Sequence, residues 1–279
     1  MKRAHLIIDI EKCIDCNNCF LVCKDEFVDN DWPPYTVPQP KHGHRWMNIM
    51  RKERGQYPMI DVAYRPTPCM HCDDPDCMKA AENDAIYKRP DGIVMIDPEK
   101  AKGQKAIVDS CPYGVIYWNE ELDVPQKCSM CAHLLDDGWK EPRCVQACGP
   151  GALSFVYLED HDMDALIDKE KLETLYPDYH LEPTTYYKNL NRYEKCFIGG
   201  SVAVEAEGVT DCVKGATVTL FRGSKKISEL ETDFFGDFKF DNLNPKSGKY
   251  RIEVKVSGHE TKQMETDLVT SVNVGTLWL

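Results

Sequence analysis

No apolar stretch in this 279-residue sequence approaches the length of a membrane span, which takes about 20 consecutive apolar residues. The first ten residues read as one short strand. They show no apolar leader core, no small-residue cleavage site and no twin arginine before Cys13. Basic charge is also scarce. Lys and Arg number 34 against 46 Asp and Glu, for a net charge of −12, which excludes a surface built to neutralise nucleic-acid phosphates. The chain has no Gly-rich phosphate loop, no nucleophile elbow and no carboxylate pair at a catalytic spacing. No catalytic residue is therefore assigned.

Cysteine, by contrast, is abundant and unevenly placed. Twelve of the fourteen lie between Cys13 and Cys148, while the stretch from Ser201 onward holds only Cys212. With no export signal, thiols at this density point to metal ligation in a reducing, cytoplasmic compartment rather than to disulfides. The two ends of the chain also differ in texture, the last third being rich in Val, Thr, Gly and Phe. At least two domains are expected.

The segment CIDCNNCFLVC places Cys13, Cys16, Cys19 and Cys23 in a C-x2-C-x2-C-x3-C run, the bacterial ferredoxin pattern. In that pattern the fourth cysteine ligates the other cluster of a pair. A second group is Cys69, Cys72 and Cys77, and a third is Cys111, followed by Pro112. The fourth is Cys128, Cys131, Cys144 and Cys148. Zinc is the competing reading of the C-x2-C pairs. The C-x3-C tails and the Cys111-Pro112 step favour four-iron clusters.

An internal repeat organises these groups. Ile8-Asp9-Ile10-Glu11-Lys12-Cys13 echoes Ile96-Asp97-Pro98-Glu99-Lys100-Ala101. In that register Ala101, Gln104 and Ile107 stand where Cys13, Cys16 and Cys19 stand, and Cys111 matches Cys23. After Cys77 the fourth ligand position falls on Ala81. Four motifs thus lack the ligands of one cube and keep those of three. Cross-pairing groups Cys13, Cys16, Cys19 and Cys148 on one cluster, and Cys128, Cys131, Cys144 and Cys23 on a second. Cys69, Cys72, Cys77 and Cys111 hold the third. The residues around Ala81, Ala101, Gln104 and Ile107 are expected to pack as a plug, with Ile107 inward and Gln104 bonded to backbone.

These motifs resemble the four-cluster electron-transfer subunits of the dimethyl sulfoxide reductase family of molybdenum enzymes. The likeness runs from about Ile7 to Val156. It includes Arg45-Trp46, Gly55 and Pro58 ahead of Pro68-Cys69-Met70-His71-Cys72, and Cys111-Pro112-Tyr113-Gly114. Within that family the empty third motif and the β-rich extension are most similar to the branch acting on polyhydroxybenzenes. The segments DCNNCF, GHRWMNI, YRPTPCMHC, CPYGVIYWNEE and CAHLLDD carry this closer likeness. The resemblance implies an α+β fold of two ferredoxin-like lobes of the βαββαβ type. It also implies a large catalytic partner holding molybdenum or tungsten on two pyranopterin guanine dinucleotides. Transhydroxylation of a phenol, resorcinol-type hydroxylation and the wire of a respiratory reductase all fit such a subunit. A free-standing ferredoxin-like carrier is the alternative of a different class.

The expected domains are 1–159, cluster-binding; 160–197, a polar docking linker with a helix from Asp164 to Leu175; and 198–279, an all-β sandwich. Strands are expected at Ala216 to Phe221, Phe238 to Phe240, Tyr250 to Val256 and Val272 to Trp278, punctuated by glycines. GATVTLFRG, TDFFGDFKFDNL and GKYRIEV resemble prealbumin-like sandwiches. A docking or stabilising module is the expected role, and a carbohydrate-binding one the alternative. Cys196 and Cys212 fall outside the ligand pattern. His71 lies between two ligands without being needed as one, and His42 and His44 read as packing or partner contacts. Tyr113 to Trp118 read as core.

Overall fold

The structure is a computed structural model and describes residues 2–206 and 208–279. The chain forms two compact units: residues 2–51 with 64–190, and residues 52–63 with 191–279. These boundaries differ from the three-segment reading of the sequence. Residues 160–190 belong to the first unit because they contribute a strand to it, and the tip of an early hairpin belongs to the second.

The first unit hangs on strand Arg3–Asp9, which pairs antiparallel with Leu153–Leu158 and parallel with Thr185–Lys188. Ala4, Leu6 and Ile8 alternate into the core, as a half-buried strand requires. Two short hairpins, Ile86–Lys88 with Val94–Ile96 and Tyr117–Asn119 with Val124–Gln126, complete its small sheets. Helix Asn18–Phe27 follows the first cysteine loop, while Asp76–Ala80, Ala106–Asp109, Ala132–Asp136 and Arg143–Gln146 are each one turn. The helix expected at Asp164 to Leu175 lies earlier, at Asp160–Glu170. Asp160 and Asp162 favour the positive helix N-terminus, and Lys171, in the left-handed region, ends it.

The second unit is built almost wholly of strands. One four-stranded sheet joins Cys196–Ala206 to Val209–Cys212, Asp237–Leu243 and Val272–Trp278. The other orders Lys225–Glu231, Thr217–Arg222, Gly248–Lys255 and Lys262–Leu268. Ile198, Val202, Val218, Leu220, Phe238, Phe240, Ile252 and Val254 share one apolar core between them. The unit also takes in the tip of the hairpin Asn48–Gln56 and Met59–Thr67. There Arg54, its side chain 2% exposed, bonds Asp61 and, at 2.9 Å, Asp241. Burial pushes the Asp61 carboxyl up, but the Arg54 hydrogen bond and the Lys239 charge outweigh it and bring its pKa down to about 2.

Candidate metal centres

The backbone repeats itself as the sequence does. The residue two past the first ligand position of each motif has positive φ: Asp15 at 57°, His71 at 46°, Gly103 at 78° and Met130 at 54°. For a non-glycine residue this costs on the order of 1 kcal/mol or more. The conformation turns the amide of that residue back on the first cysteine. His71 N–H reaches Cys69 Sγ at 3.5 Å, and Met130 N–H reaches Cys128 Sγ at 3.3 Å. Asp15 does the same for Cys13. The empty motif keeps the twist at Gly103 where the cysteine has become Ala101.

The cysteines gather across motifs. Cys13, Cys16, Cys19 and Cys148 line one hollow with Ile49, Pro66 and Leu153. Cys23, Cys128, Cys131 and Cys144 line another with Phe27, Met47 and Met130, and Cys69 stands at its wall. Cys72 and Cys77 both feel the charges of Cys69 and Cys111. Among the described residues no three His, Cys, Asp or Glu side chains converge on a single-ion point; the thiols ring hollows instead. Zinc would draw four sulfurs to about 2.3 Å from one centre.

Burial pushes the thiols up: Cys128 to about 11, Cys19 and Cys77 to about 12, and Cys23 and Cys144 well above their ordinary range, with neighbouring cysteines adding to the rise. Such thiols ionise only against strong positive charge, as bound metal supplies. Donors near them are also unanswered. Trp46, 1% exposed, has no acceptor for its indole N–H, although it packs with Cys131 and, at their edges, Cys23 and Cys128. His71 accepts Val94 N–H at Nδ1, so its proton sits on Nε2, which has no partner. A donor-only indole buried without an acceptor is costly. Two unanswered donors beside buried thiols, with four thiols lining each of two hollows, fit the four-thiolate ligand set of a four-iron cube.

The fourth set of positions is filled. Ala101 and Ile107 are fully buried with Ala85, Ile86, Val94, Ile96 and Ile116, and Ala81 packs against them. Gln104 bonds the backbone of Glu82 and of Lys100, as the register expected. His44 is buried, its Nε2 at 2.9 Å from Trp118 O and its ring stacked on Tyr117, so it packs as anticipated; His42 is exposed. The 113–118 aromatics depart from the expectation of core. Tyr113, Tyr117 and Trp118 are half-buried, and Val115 and Ile116 take the interior. Tyr113 instead meets Tyr176 and Tyr179. Cys196 is buried in the second unit and Cys212 is exposed.

Residues 60–158 match the family of the 4Fe-4S dicluster domain. The pyrogallol hydroxytransferase small subunit of Pelobacter acidigallici is 49% identical over 92% of each chain. The putative dimethyl sulfoxide reductase iron-sulfur subunit of Halobacterium salinarum is 31% identical over 68% of this chain and 80% of its own. The arsenate respiratory reductase iron-sulfur subunit of a Shewanella strain is 26% identical over 66% and 95%. With cysteine motifs, hollows and relatives in agreement, the chain belongs to the iron–sulfur subunits of the dimethyl sulfoxide reductase family, the group that includes the pyrogallol hydroxytransferase small subunit.

Proposed function

We propose that this electron-transfer subunit carries three [4Fe–4S] clusters and serves a large molybdenum- or tungsten-pterin subunit that acts on polyhydroxybenzenes in the cytoplasm. The observation that supports the cluster count is that cysteines from different motifs line common hollows. Cys23 crosses to the hollow of Cys128, Cys131 and Cys144, and Cys148 crosses to that of Cys13, Cys16 and Cys19. Cys69, Cys72, Cys77 and Cys111 are the third set in this reading, supported by the mutual electrostatic influence of these four thiols. The relatives named above support the partner and substrate class. Among the described residues no helix is long and apolar enough to cross a membrane.

When bound, the cubes supply one-electron storage and release. The chain's own residues hold, space and tune them. Cysteine thiolates ligate, and the amides of Asp15, His71 and Met130 donate to the first thiolate of each run. Apolar neighbours such as Phe27, Met47 and Ile49 keep water away, which with sulfur hydrogen bonding sets the potential. In this reading the first unit is a pair of ferredoxin-like lobes, one having traded a cube for the Ile107 plug. The second unit is a prealbumin-like sandwich with a docking role.

Anaerobic isolation of the complex tests the proposal. The expected result is about twelve iron and twelve sulfide per chain, as three four-iron cubes require, together with a large co-purifying subunit containing molybdenum or tungsten. Stoichiometric zinc, or about sixteen irons, would overturn the cluster assignment. A monomer without that partner would point to a free carrier instead.

A further inference from the structure

Lys127 places a buried ammonium in the first unit. It is 5% exposed, and among the described residues no carboxylate lies within ion-pair distance of it. Its ammonium donates to Val94 O at 2.5 Å and Cys128 O at 3.1 Å, which accounts for two of its three protons. Other cations beside the cysteines are provided for differently. Lys88 pairs with Asp73, and Arg143 with Glu26 and Asp25. Lys24, near Cys23, is only half-buried. An ammonium held out of water calls for a counter-ion as well as carbonyl acceptors.

The candidates for that anion are few. Lys127 immediately precedes Cys128 and donates to its carbonyl, while Cys69 and Cys72, which flank His71 in sequence, belong to a different set of four. It also reaches His71 through one backbone residue, since Val94 accepts from Lys127 at its carbonyl and donates to His71 Nδ1 at its amide. The only anions these neighbours can become are thiolates, because an imidazole is either neutral or cationic and the remaining contacts are backbone carbonyls. That counter-ion is thus a pair of loaded thiolate sets.

We propose that Lys127 is the shared counter-charge of the clusters on Cys69, Cys72, Cys77 and Cys111 and on Cys23, Cys128, Cys131 and Cys144, and that it raises the reduction potential of both. The inference rests on the ligand assignment above. Each cube with four thiolates is a net anion, and adding one electron deepens that charge by one unit with no bond made or broken. A fixed cation in a low-dielectric site stabilises the reduced form more than the oxidised one. Neither hydrogen-bond acceptor of Lys127, nor His71 beyond them, adjoins in sequence any member of the set on Cys13, Cys16, Cys19 and Cys148.

Potentiometric titration of the intact complex, followed by electron paramagnetic resonance, reads the effect. Lys127→Met is expected to lower the reduced-to-oxidised ratio of two clusters at least tenfold at fixed potential, about 59 mV for one electron. Lys127→Arg is expected to keep most of the potential, and the third cluster to stay in place. Full iron with unmoved midpoints, or an equal shift of all three, overturns the proposal. Should Lys127→Met lose iron, wild-type protein with 15N-lysine decides. Pulsed hyperfine spectra are expected to show a lysine nitrogen coupled to a cluster and lost in Lys127→Arg; its absence overturns the proposal. Fewer than about twelve irons in the wild type sinks the ligand assignment rather than the role of Lys127.

Discussion

Gln104 and Glu82 hold each other by two hydrogen bonds running in opposite directions. Glu82 N–H donates to Gln104 Oε1 at 2.8 Å, and Gln104 Nε2 donates to Glu82 O at 3.2 Å. Glu82 follows Ala81, and Gln104 stands in the second position of the empty motif, so a side-chain clasp joins the two segments a cube would otherwise have joined. Gln104→Ala is expected to cost about 1 kcal/mol. Ile107→Ala, in a fully buried site, is expected to cost about 2–5 kcal/mol. Neither should change the iron content. Anaerobic thermal melts with parallel iron assays check this, and loss of iron from Gln104→Ala would refute the plug.

The cross-pairing of ligands assigns signals to residues. Cys148→Ser and Cys19→Ser should disturb the same resonance, although 129 positions separate them, while Cys23→Ser should share its effect with Cys144→Ser. Each should remove or convert one cube, about four irons at most. Spectra in which Cys23→Ser and Cys19→Ser damage the same cluster would break the assignment.

Arg54 is expected to be a sensitive position in the second unit. Arg54→Met leaves Asp61 and Asp241 to Lys239, with Arg192 also on Asp61, and should cost about 1–3 kcal/mol. The pH dependence has a definite sign. The Asp61 pKa falls from 3.8 to about 2 on folding, so its contribution is present above about pH 4 and is lost as pH falls toward 2. Hydrogen exchange of peptides covering 52–63 should accelerate over that window in the wild type. In Arg54→Met it should already be fast at neutral pH.

Gly55 and Gly199 make a graded pair. A Cβ on Gly55 would lie 2.3 Å from Met59 O and 2.4 Å from Phe197 Cζ, at a φ of +91°. A Cβ on Gly199 would meet the movable Met59 Sδ first. Gly55→Ala should therefore cost more than the 1–3 kcal/mol typical of backbone strain alone, and Gly199→Ala less than Gly55→Ala. Denaturation midpoints of the two variants, measured side by side, decide the order.

The metal chemistry was legible in the sequence because ligand spacing is a covalent constraint and thiol identity cannot be disguised. The packing of the cysteine-poor motif was legible too, through the echo of residues 8–13 in 96–101, and Gln104 and Ile107 behave as that register required. The tuning groups were not. Lys127 reads as an ordinary lysine beside Cys128, and nothing in its neighbourhood announces that Val94 and Cys128 will bury it. The amide turns at Asp15, His71 and Met130 are equally silent, since only Gly103 advertises a positive φ by residue type. In the last third the four expected strands are present, Val272–Trp278 with the expected ends and the other three with shifted ones. Lys225–Glu231 and Lys262–Leu268 went unread because their polar, exposed faces mask the two-residue period.

The hairpin tip at 52–63 has a consequence for how this chain can be cut and inherited. The polypeptide enters the second unit at Lys52, leaves at Ala63 and returns only at Asn191, so no single break separates the halves. Excision after Leu190 strips Arg54 of Asp241 and Gly55 of Phe197, and leaves a charged, apolar flap open to proteases. Grafting 191–279 onto another electron carrier without 52–63 leaves the mirror-image wound on the strands. The two stretches are one heritable module written in two places, and any recombination that preserves the fold must carry both.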